Sequence, residues 1–374
     1  MIKDTVVFFQ TSTASPSREK IAGVYRYLES SGWQIQLIEE NLSPKDIPKF
    51  LLKWKPIGCI IERGLTTYKN PVRAIGRTPT VYIDQNPKTA TKGIWCIQNN
   101  AAPIVKMAFQ ELTRLSPAHY AFVRSRDNQF WSIERESSFQ RLVCQIKAKC
   151  TILDNDLNLP ENIAALPKPC GLLAANDHIA QKVIDAAHKK GISMPTDLQI
   201  VGINNDEFIC THTNPTLTSI HPDFEGCGFL AMATLHRIIK GTTARPQTIF
   251  FGPKEIIRRA STRIFKRNDS RVTCALDFIA AHYADCNLKT ETIAAAMGCS
   301  RGLADLRFKE VTGRTIRDEI RHIRLEAAKR LLNDPTRVLS SIPSLCGYLS
   351  LPTFANMFKK ETGMTMRGWR NCEH

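Results

Sequence analysis

The residues best placed for chemistry in this chain sit in two segments that repeat one layout. Ile293-Ala-Ala-Ala-Met-Gly298-Cys-Ser300 leads, from Arg301, to Phe308-Lys309-Glu310-Val311-Thr312-Gly313. Ile342-Pro-Ser-Leu-Cys-Gly347-Tyr-Leu-Ser350 leads, from Leu351, to Phe358-Lys359-Lys360-Glu361-Thr362-Gly363. The step from turn glycine to Phe is ten residues in the first and eleven in the second. The layout is helix, glycine turn, serine cap, second helix, basic residue and closing glycine. Glycine permits the positive φ of a tight turn. Ser300 and Ser350 are placed to cap the second helix of each unit, and Phe308 and Phe358 to anchor it. A helix over Ile316–Leu332, with Ile316, Ile320, Ile323, Ala327 and Leu331 at helical spacing, would hold the units at fixed separation. Two such helix-turn-helix units can present recognition helices to successive major grooves of double-stranded DNA. A plain helical bundle is the alternative, and the doubled F-K-x-x-T-G ending argues against it.

Catalytic and metal chemistry find little support. The chain has 12 cysteines, with no C-x-x-C pair and no His-Cys cluster spaced for zinc. In a reduced compartment they read as small apolar residues. Cys170 and Cys346 lack a nearby His–acid pair that would activate a nucleophile. Asp177 and His178 alone make no triad. No cofactor, metal or enzymatic activity is expected. A DNA-repair activity fused to the C-terminal unit remains the remote enzyme alternative.

The elements that position these residues change character along the chain. Strand-like Thr5–Phe9, Gln34–Ile38, Ile57–Ile61, Thr80–Ile83, His119–Val123, Gly171–Ala174 and Leu198–Ile203 alternate with helices over 19–30, 102–115 and 179–190. Such alternation implies βαβ units and parallel sheets, whose ligands lie beyond the carboxyl ends of the strands. After residue 252 the pattern turns helical, with a boundary at 262–271. The stretch 254–271 holds seven cations against two acids, and the whole chain of 374 residues carries a formal charge of +16. Residues 1–264 account for +10 of it and 265–374 for +6. This balance suits an acidic partner, and the motifs select DNA over a membrane surface. The apolar stretch Val6–Phe9 is too short for a signal-peptide core, and no window reaches membrane-helix length. A cytoplasmic protein is expected.

The C-terminal segment, roughly 271–370, resembles the AraC/XylS-type DNA-binding domain, down to its ending Thr362-Gly363-Met364-Thr365-Met366-Arg367-Gly368-Trp369-Arg370, with Met366 where Pro is usual. By position in that motif, the resemblance implies that Arg301, Gly302, Asp305, Leu306 and Arg307 of the first recognition helix face DNA. In the second, Leu351, Pro352, Thr353 and Asn356 do so. Asp305 would accept from a cytosine amino group, Asn356 would pair with adenine, and Thr353 would touch a thymine methyl or phosphate. Lys309, Lys359 and Lys360 lie at the far ends, suited to solvent or phosphate.

The N-terminal stretch resembles the effector domain of LacI/GalR regulators, a two-lobed periplasmic-binding-protein fold. The resemblance rests on Pro169-Cys-Gly-Leu-Leu-Ala-Ala-Asn176-Asp177-His178, on Val201-Gly202-Ile-Asn204-Asn205-Asp206 and on Asn214-Pro215-Thr-Leu-Thr-Ser-Ile220. The order of the two parts resembles that of bacterial xylose-operon regulators, as do Trp131-Ser-Ile-Glu-Arg135-Glu136 and the R-R-A-S-T stretch Arg258–Thr262. It implies a sugar bound between the lobes, with Arg135 as the main ligand group (a surface salt bridge being its plainer role). Trp131 would stack on the sugar or pack at the lobe interface. Asn176, Asp177, Asn99 and Asn204 would line the cleft. Asn99 and Asn204 stand where Asp is common, which replaces an anionic acceptor by an amide. A cleft for a non-sugar ligand, or for none, is the alternative.

The expected architecture is an α/β two-lobed, doubly wound sensor over 1–262, its chain crossing between lobes near 97–101 and 218–223. A basic linker follows at 263–271, then an all-α double helix-turn-helix domain over 272–374. The expected partners are double-stranded DNA, a sugar-like effector and a second copy in a homodimer, with no membrane. The expected outcome is control, as an activator, of carbohydrate-utilisation genes.

Overall fold

The computed structural model describes residues 4–10, 14–29, 31–38, 47–62, 75–85, 93–114, 116–126, 129–242, 245–263, 269–334 and 337–371. The chain forms two compact units, Met1–Thr262 and Arg263–His374. Among the described residues no helix is long and apolar enough to cross a membrane.

In the first unit, short β-branched and aromatic runs make strands buried on both faces, as parallel sheets require. The strands are β1 (Thr5–Phe9), β2 (Gln34–Ile38), β3 (Gly58–Glu62), β4 (Thr80–Ile83), β5 (Trp95–Asn99), β6 (His119–Val123), β7 (Cys150–Leu153), β8 (Cys170–Ala174), β9 (Leu198–Ile203), β10 (Thr218–Pro222), β11 (Thr248–Phe251) and β12 (Pro253–Ile257). They form two six-stranded sheets, ordered β11-β5-β4-β3-β1-β2 and β12-β10-β9-β8-β6-β7. The described pairings are parallel except β10 with β12. Period-2 alternation divides β1 between two cores: Val6 and Phe8 on one face, Val7 and Phe9 on the other.

The chain passes between the lobes three times, after β5, after β10 and between β11 and β12. Strands at Thr5–Phe9, Gln34–Ile38, Thr80–Ile83, His119–Val123 and Leu198–Ile203 have the bounds their apolar runs suggest. Strand β3 starts one residue later than expected, and β8 one earlier. The first helix is Ser15–Leu28, with Pro16 in its opening turn, so it begins before the apolar face does. Helix Asp177–Lys189 starts at Asp177 because the Asn176 side chain accepts from the Ile179 N–H. Helix Ala101–Thr113 is capped likewise by Asn100. Residues 30 and 115, taken into the first and 102–115 helices, lie outside the described residues.

Helices Ser15–Leu28 and Phe224–Ile239 cross in close contact on the first lobe. Gly23 and Gly228 make this possible. A β-carbon on Gly23 would overlap the Glu225 carbonyl, and one on Gly228 the Lys20 carbonyl. The unit closes on Arg258–Thr262. Arg258 Nε pairs with buried Glu111 at 2.7 Å. Arg259 donates to the Leu217 carbonyl at 2.8 Å and to Asn205 Oδ1 at 3.0 Å. Ser261 Oγ reaches the Ile200 carbonyl at 2.6 Å. These two cations of the basic stretch 254–271 are therefore engaged within the first unit. Residues 264–268 of the linker lie outside the described residues.

The second unit is helical: Ser270–His282, Thr290–Ala296, Arg301–Thr312, Ile316–Leu332, Ile342–Leu345, Leu351–Thr362 and Met366–Asn371. Helix Ile316–Leu332 serves two cores. Ile316 and Ile320 pack with Phe308 and Ala304. Leu325, Ala328 and Leu332 pack with Phe354 and Phe358. The repeated T-G ending has one geometry in both copies. Thr312 and Thr362 donate to the Phe308 and Phe358 carbonyls at 2.7 Å. Each hydroxyl accepts from the N–H two residues on, at 3.2 Å. Gly313 and Gly363 then take φ of 80° and 75° and close their helices. Ser350 caps through the Thr353 N–H at 3.4 Å, but the Ser300 side chain makes no cap bond, against expectation. Gly347 has φ of 76°, and a β-carbon there would meet the Tyr283 carbonyl.

Gly228→Ala tests the close helix crossing. Helix propensity alone would stabilise by about 1 kcal/mol. Overlap with the Lys20 backbone reverses the sign, and we expect a net loss of roughly 1–3 kcal/mol in denaturant unfolding. An unchanged or raised midpoint would contradict that packing.

Candidate functional site

Parallel strands place their polar ends together, and both lobes do so around one cavity of about 380 Å³. Glu62 ends β3, Asp84 follows β4 and Asn99 ends β5. From the second lobe, Asn176 lies just beyond β8 and Asn204 just beyond β9. Helix Phe130–Gln145 adds Trp131, Glu134 and Arg135. A broader groove of about 660 Å³ continues from it, sharing Asn99 and Glu134.

The first-lobe wall is built on Lys20, whose side chain is 5% exposed. Its ammonium lies 2.9 Å from Glu62 Oε1 and 2.9 Å from Asp84 Oδ2. Ser17 Oγ lies 3.0 Å from each Glu62 oxygen, and Asp84 Oδ1 accepts from the Asn99 N–H at 2.9 Å. Burial works against the charge on Lys20, but Asp84 and Glu62 more than offset it and hold its pKa above the ordinary range. The Phe224 ring centroid lies 5.6 Å from the ammonium.

On the second lobe Arg135 is buried. It donates from Nη1 to the Ala175 carbonyl at 2.5 Å and stacks 5.0 Å over the Trp131 ring. Burial, together with Asp84, pushes the Glu134 carboxyl up, and Arg135 pulls it part of the way back. Asn204 has φ of 120° and Asn205 of 52°. This left-handed turn suits Asn and tips their side chains out of the strand direction.

Asp177 is the exception among the expected cleft residues. It lies away from the cavity lining, 1% exposed. It accepts from Ser219 Oγ at 2.6 Å and from the Asp206 N–H at 2.7 Å. Burial pushes its pKa up, while Ser219, Asp206 and Arg259 draw it back. Its work is to hold the Asn204–Asp206 turn against β10. Reading it as a ligand group followed from its place next to Asn176. One residue further along, however, the chain has entered the helix and its side chain points inward. Ser17, Lys20, Glu62, Asp84 and Glu134 were not singled out from sequence. Glu62 and Asp84 carried the same signal as Asn176, a polar residue directly beyond an apolar strand. Lys20 carried none.

In the second unit the helices Arg301–Thr312 and Leu351–Thr362 are equal in length, with Phe308 and Phe358 buried at equivalent positions. Gly302, Leu306, Leu351, Pro352, Thr353 and Asn356 are all exposed. So are Lys309, Lys359 and Lys360 at the far ends. Arg301 is exposed and pairs with Glu291 at 2.7 Å. Arg307 is half-buried, its guanidinium 4.0 Å from Asp269 in front of helix Ser270–His282. Asp305 is turned toward its own domain. It is half-buried and accepts from the Ile316 N–H at 3.4 Å, fixing the recognition helix to the long one that follows. It therefore does not project as a cytosine reader.

Among the described residues no group of three or more His, Cys, Asp and Glu side chains could hold a metal ion. The two thiols weighed as nucleophiles are buried, and burial pushes Cys170 and Cys346 up to about 12. Neither is a reactive thiolate.

The family described as periplasmic binding protein-like domain matches residues 109–262, and the helix-turn-helix domain matches residues 293–371. The xylose operon regulatory protein of Escherichia coli (strain K12) is 28% identical over 95% of this chain and 93% of its own. A solved structure described as a xylose-binding transcription activator covers 99% of this chain and 98% of its own, with TM-score 0.61 and 24% identity. The Lac repressor dimer bound to operator covers 70% of this chain and 95% of its own, with TM-score 0.57 and 16% identity.

Lys20→Met tests the charged wall. It removes the cation that offsets Glu62 and Asp84 and is expected to cost about 3–5 kcal/mol at pH 7. A loss below about 1 kcal/mol in denaturant unfolding would contradict this role.

Proposed function

From a chain that joins a periplasmic-binding-protein-like domain to a C-terminal AraC-type helix-turn-helix domain, in the order of the xylose operon regulators, we propose a sugar-responsive transcription activator. It works in the cytoplasm as a homodimer on double-stranded DNA. The observation that carries this reading is the polar cavity between two lobes, on a chain that ends in a doubled DNA-reading motif.

The ligand is a neutral sugar. Glu62, Asp84 and Glu134 offer carboxylate acceptors to hydroxyl groups, while Arg135 and Lys20 offer donors. Trp131 and Phe224 supply apolar faces for ring carbons. Three carboxylates against two cations leave no surplus positive charge for a phosphate or sugar acid. The cavity lies near the small end of the range of about 300–1,000 Å³ usual for small-molecule sites. A pentose comes first, since the relatives are xylose operon regulators. Closing of the lobes on the sugar favours one arrangement of the dimer, and with it the engagement of paired DNA sites.

DNase footprinting with and without a panel of pentoses, hexoses and their acids tests the switch. A neutral sugar should change the protected region, and identical footprints throughout would refute it. Arg135→Ala should abolish the sugar-induced rise in melting temperature. A shift equal to that of the parent chain would remove Arg135 from the binding site. Asn356→Ala should lower discrimination at one base position by about tenfold, within the roughly 1–3 kcal/mol of a bidentate contact. A uniform loss over all sequences would contradict base reading by Asn356.

A further inference from the structure

The two recognition helices share a backbone plan but present opposite chemistry at equivalent positions. Aligned on Phe308 and Phe358, Leu303 corresponds to Thr353 and Leu306 to Asn356. Leu303 is 42% exposed and Leu306 57%. Between Arg301 and Leu303, Gly302 leaves open space where a β-carbon would stand. Two polar groups in the middle of the first helix are turned away. Asp305 is bonded to Ile316, and Arg307 lies toward Asp269. What remains outward around Leu303 and Leu306 is a carbon surface, bordered by exposed Arg301, Lys309 and Glu310.

We propose that the first helix-turn-helix unit recognises the C5-methyl groups of thymine through Leu303 and Leu306. The half-site it covers is then specified by thymines, while the second unit reads by hydrogen bonds. The assignment rests on the DNA-binding reading above. Its occupant is the duplex rather than a protein, because the leucines lie on a unit of net charge +6 over 265–374. That setting is complementary to phosphate and costly against an apolar partner. The bare Gly302 backbone lets the helix approach the base edges closely. In the major groove, the thymine methyl is the one apolar group a leucine can meet.

The test uses the full chain. An operator is first selected from random duplexes, and thymines are then replaced by deoxyuridine, which removes the methyl and keeps base pairing. Binding should weaken about fourfold per contacted methyl in one half-site, from about 0.8 kcal/mol per buried carbon group. The Leu303→Ala/Leu306→Ala double variant should bind the thymine operator less well and lose the deoxyuridine penalty in that half-site. Its thermal unfolding should be unchanged, since both side chains are exposed. Full tolerance of deoxyuridine by the parent chain would overturn the assignment alone. So would an undiminished penalty in the variant, which would leave the leucines to a protein partner. Failure to enrich any duplex would overturn the DNA-binding reading and this assignment with it.

Discussion

The sensor is organised around a buried ammonium. Lys20 sits between Glu62 and Asp84 at 2.9 Å from each, and a charge removed from water so completely persists only with such partners. The pairing ties the helix Ser15–Leu28 to the ends of β3 and β4 and, through Asp84, to the backbone of Asn99 at the first lobe crossing. The same helix is pressed on Phe224–Ile239, which begins directly after the second crossing, and Gly23 and Gly228 let the backbones touch. The wall of the ligand cleft and two of the three lobe connections thus share one set of contacts. A ligand that competes for Glu62 or Asp84 acts on the elements that carry two of the lobe connections.

The DNA-binding unit depends on a different constraint, two small cores joined by one helix. Ile316–Leu332 gives its first turns to the Phe308 core and its last to the Phe354 and Phe358 core. Arg324 reinforces the middle, donating to the Tyr283 and Asp285 carbonyls at 2.8 and 2.7 Å. Gly347 has to be glycine where that cluster meets the second turn. Recognition helices held in this way keep their spacing, and the identity of their outward side chains is left to sequence reading.

Much of this was legible in the residues. Glycine turns, the doubled F-K-x-x-T-G and the helical spacing of Ile316–Leu332 are local signals, and local chemistry decides them. The parallel-sheet character was legible from apolar runs such as Val6–Phe9. Strands β5, β7, β10, β11 and β12 were not. In β12, Pro253–Ile257 is half-buried, and it pairs antiparallel with β10, a contact no nearby residue announces. Site residues divided the same way. Asn176 and Asn204 were found because they end strands. Lys20 was missed because its partners lie 42 and 64 residues away. Asp177 and Asp305 were assigned to ligands because their types suit ligands, whereas both carboxylates are engaged by backbone N–H groups of their own unit. Arg258 and Arg259, counted in the basic stretch 254–271, are engaged by Glu111, Leu217 and Asn205.

In the proposed function one chain couples a neutral sugar in the cleft to DNA held by the C-terminal unit. Coupling of this kind is reciprocal, so operator DNA must change sugar affinity by the factor with which sugar changes DNA affinity. Calorimetric titration of the full chain with a panel of neutral sugars, with and without saturating operator duplex, measures that factor directly. At least one neutral pentose or hexose should bind, with an affinity shifted about fivefold or more by the duplex, the usual scale of allosteric coupling being roughly 5–150-fold. Sugar binding with the same affinity in both titrations, or no binding of any neutral sugar, would contradict it.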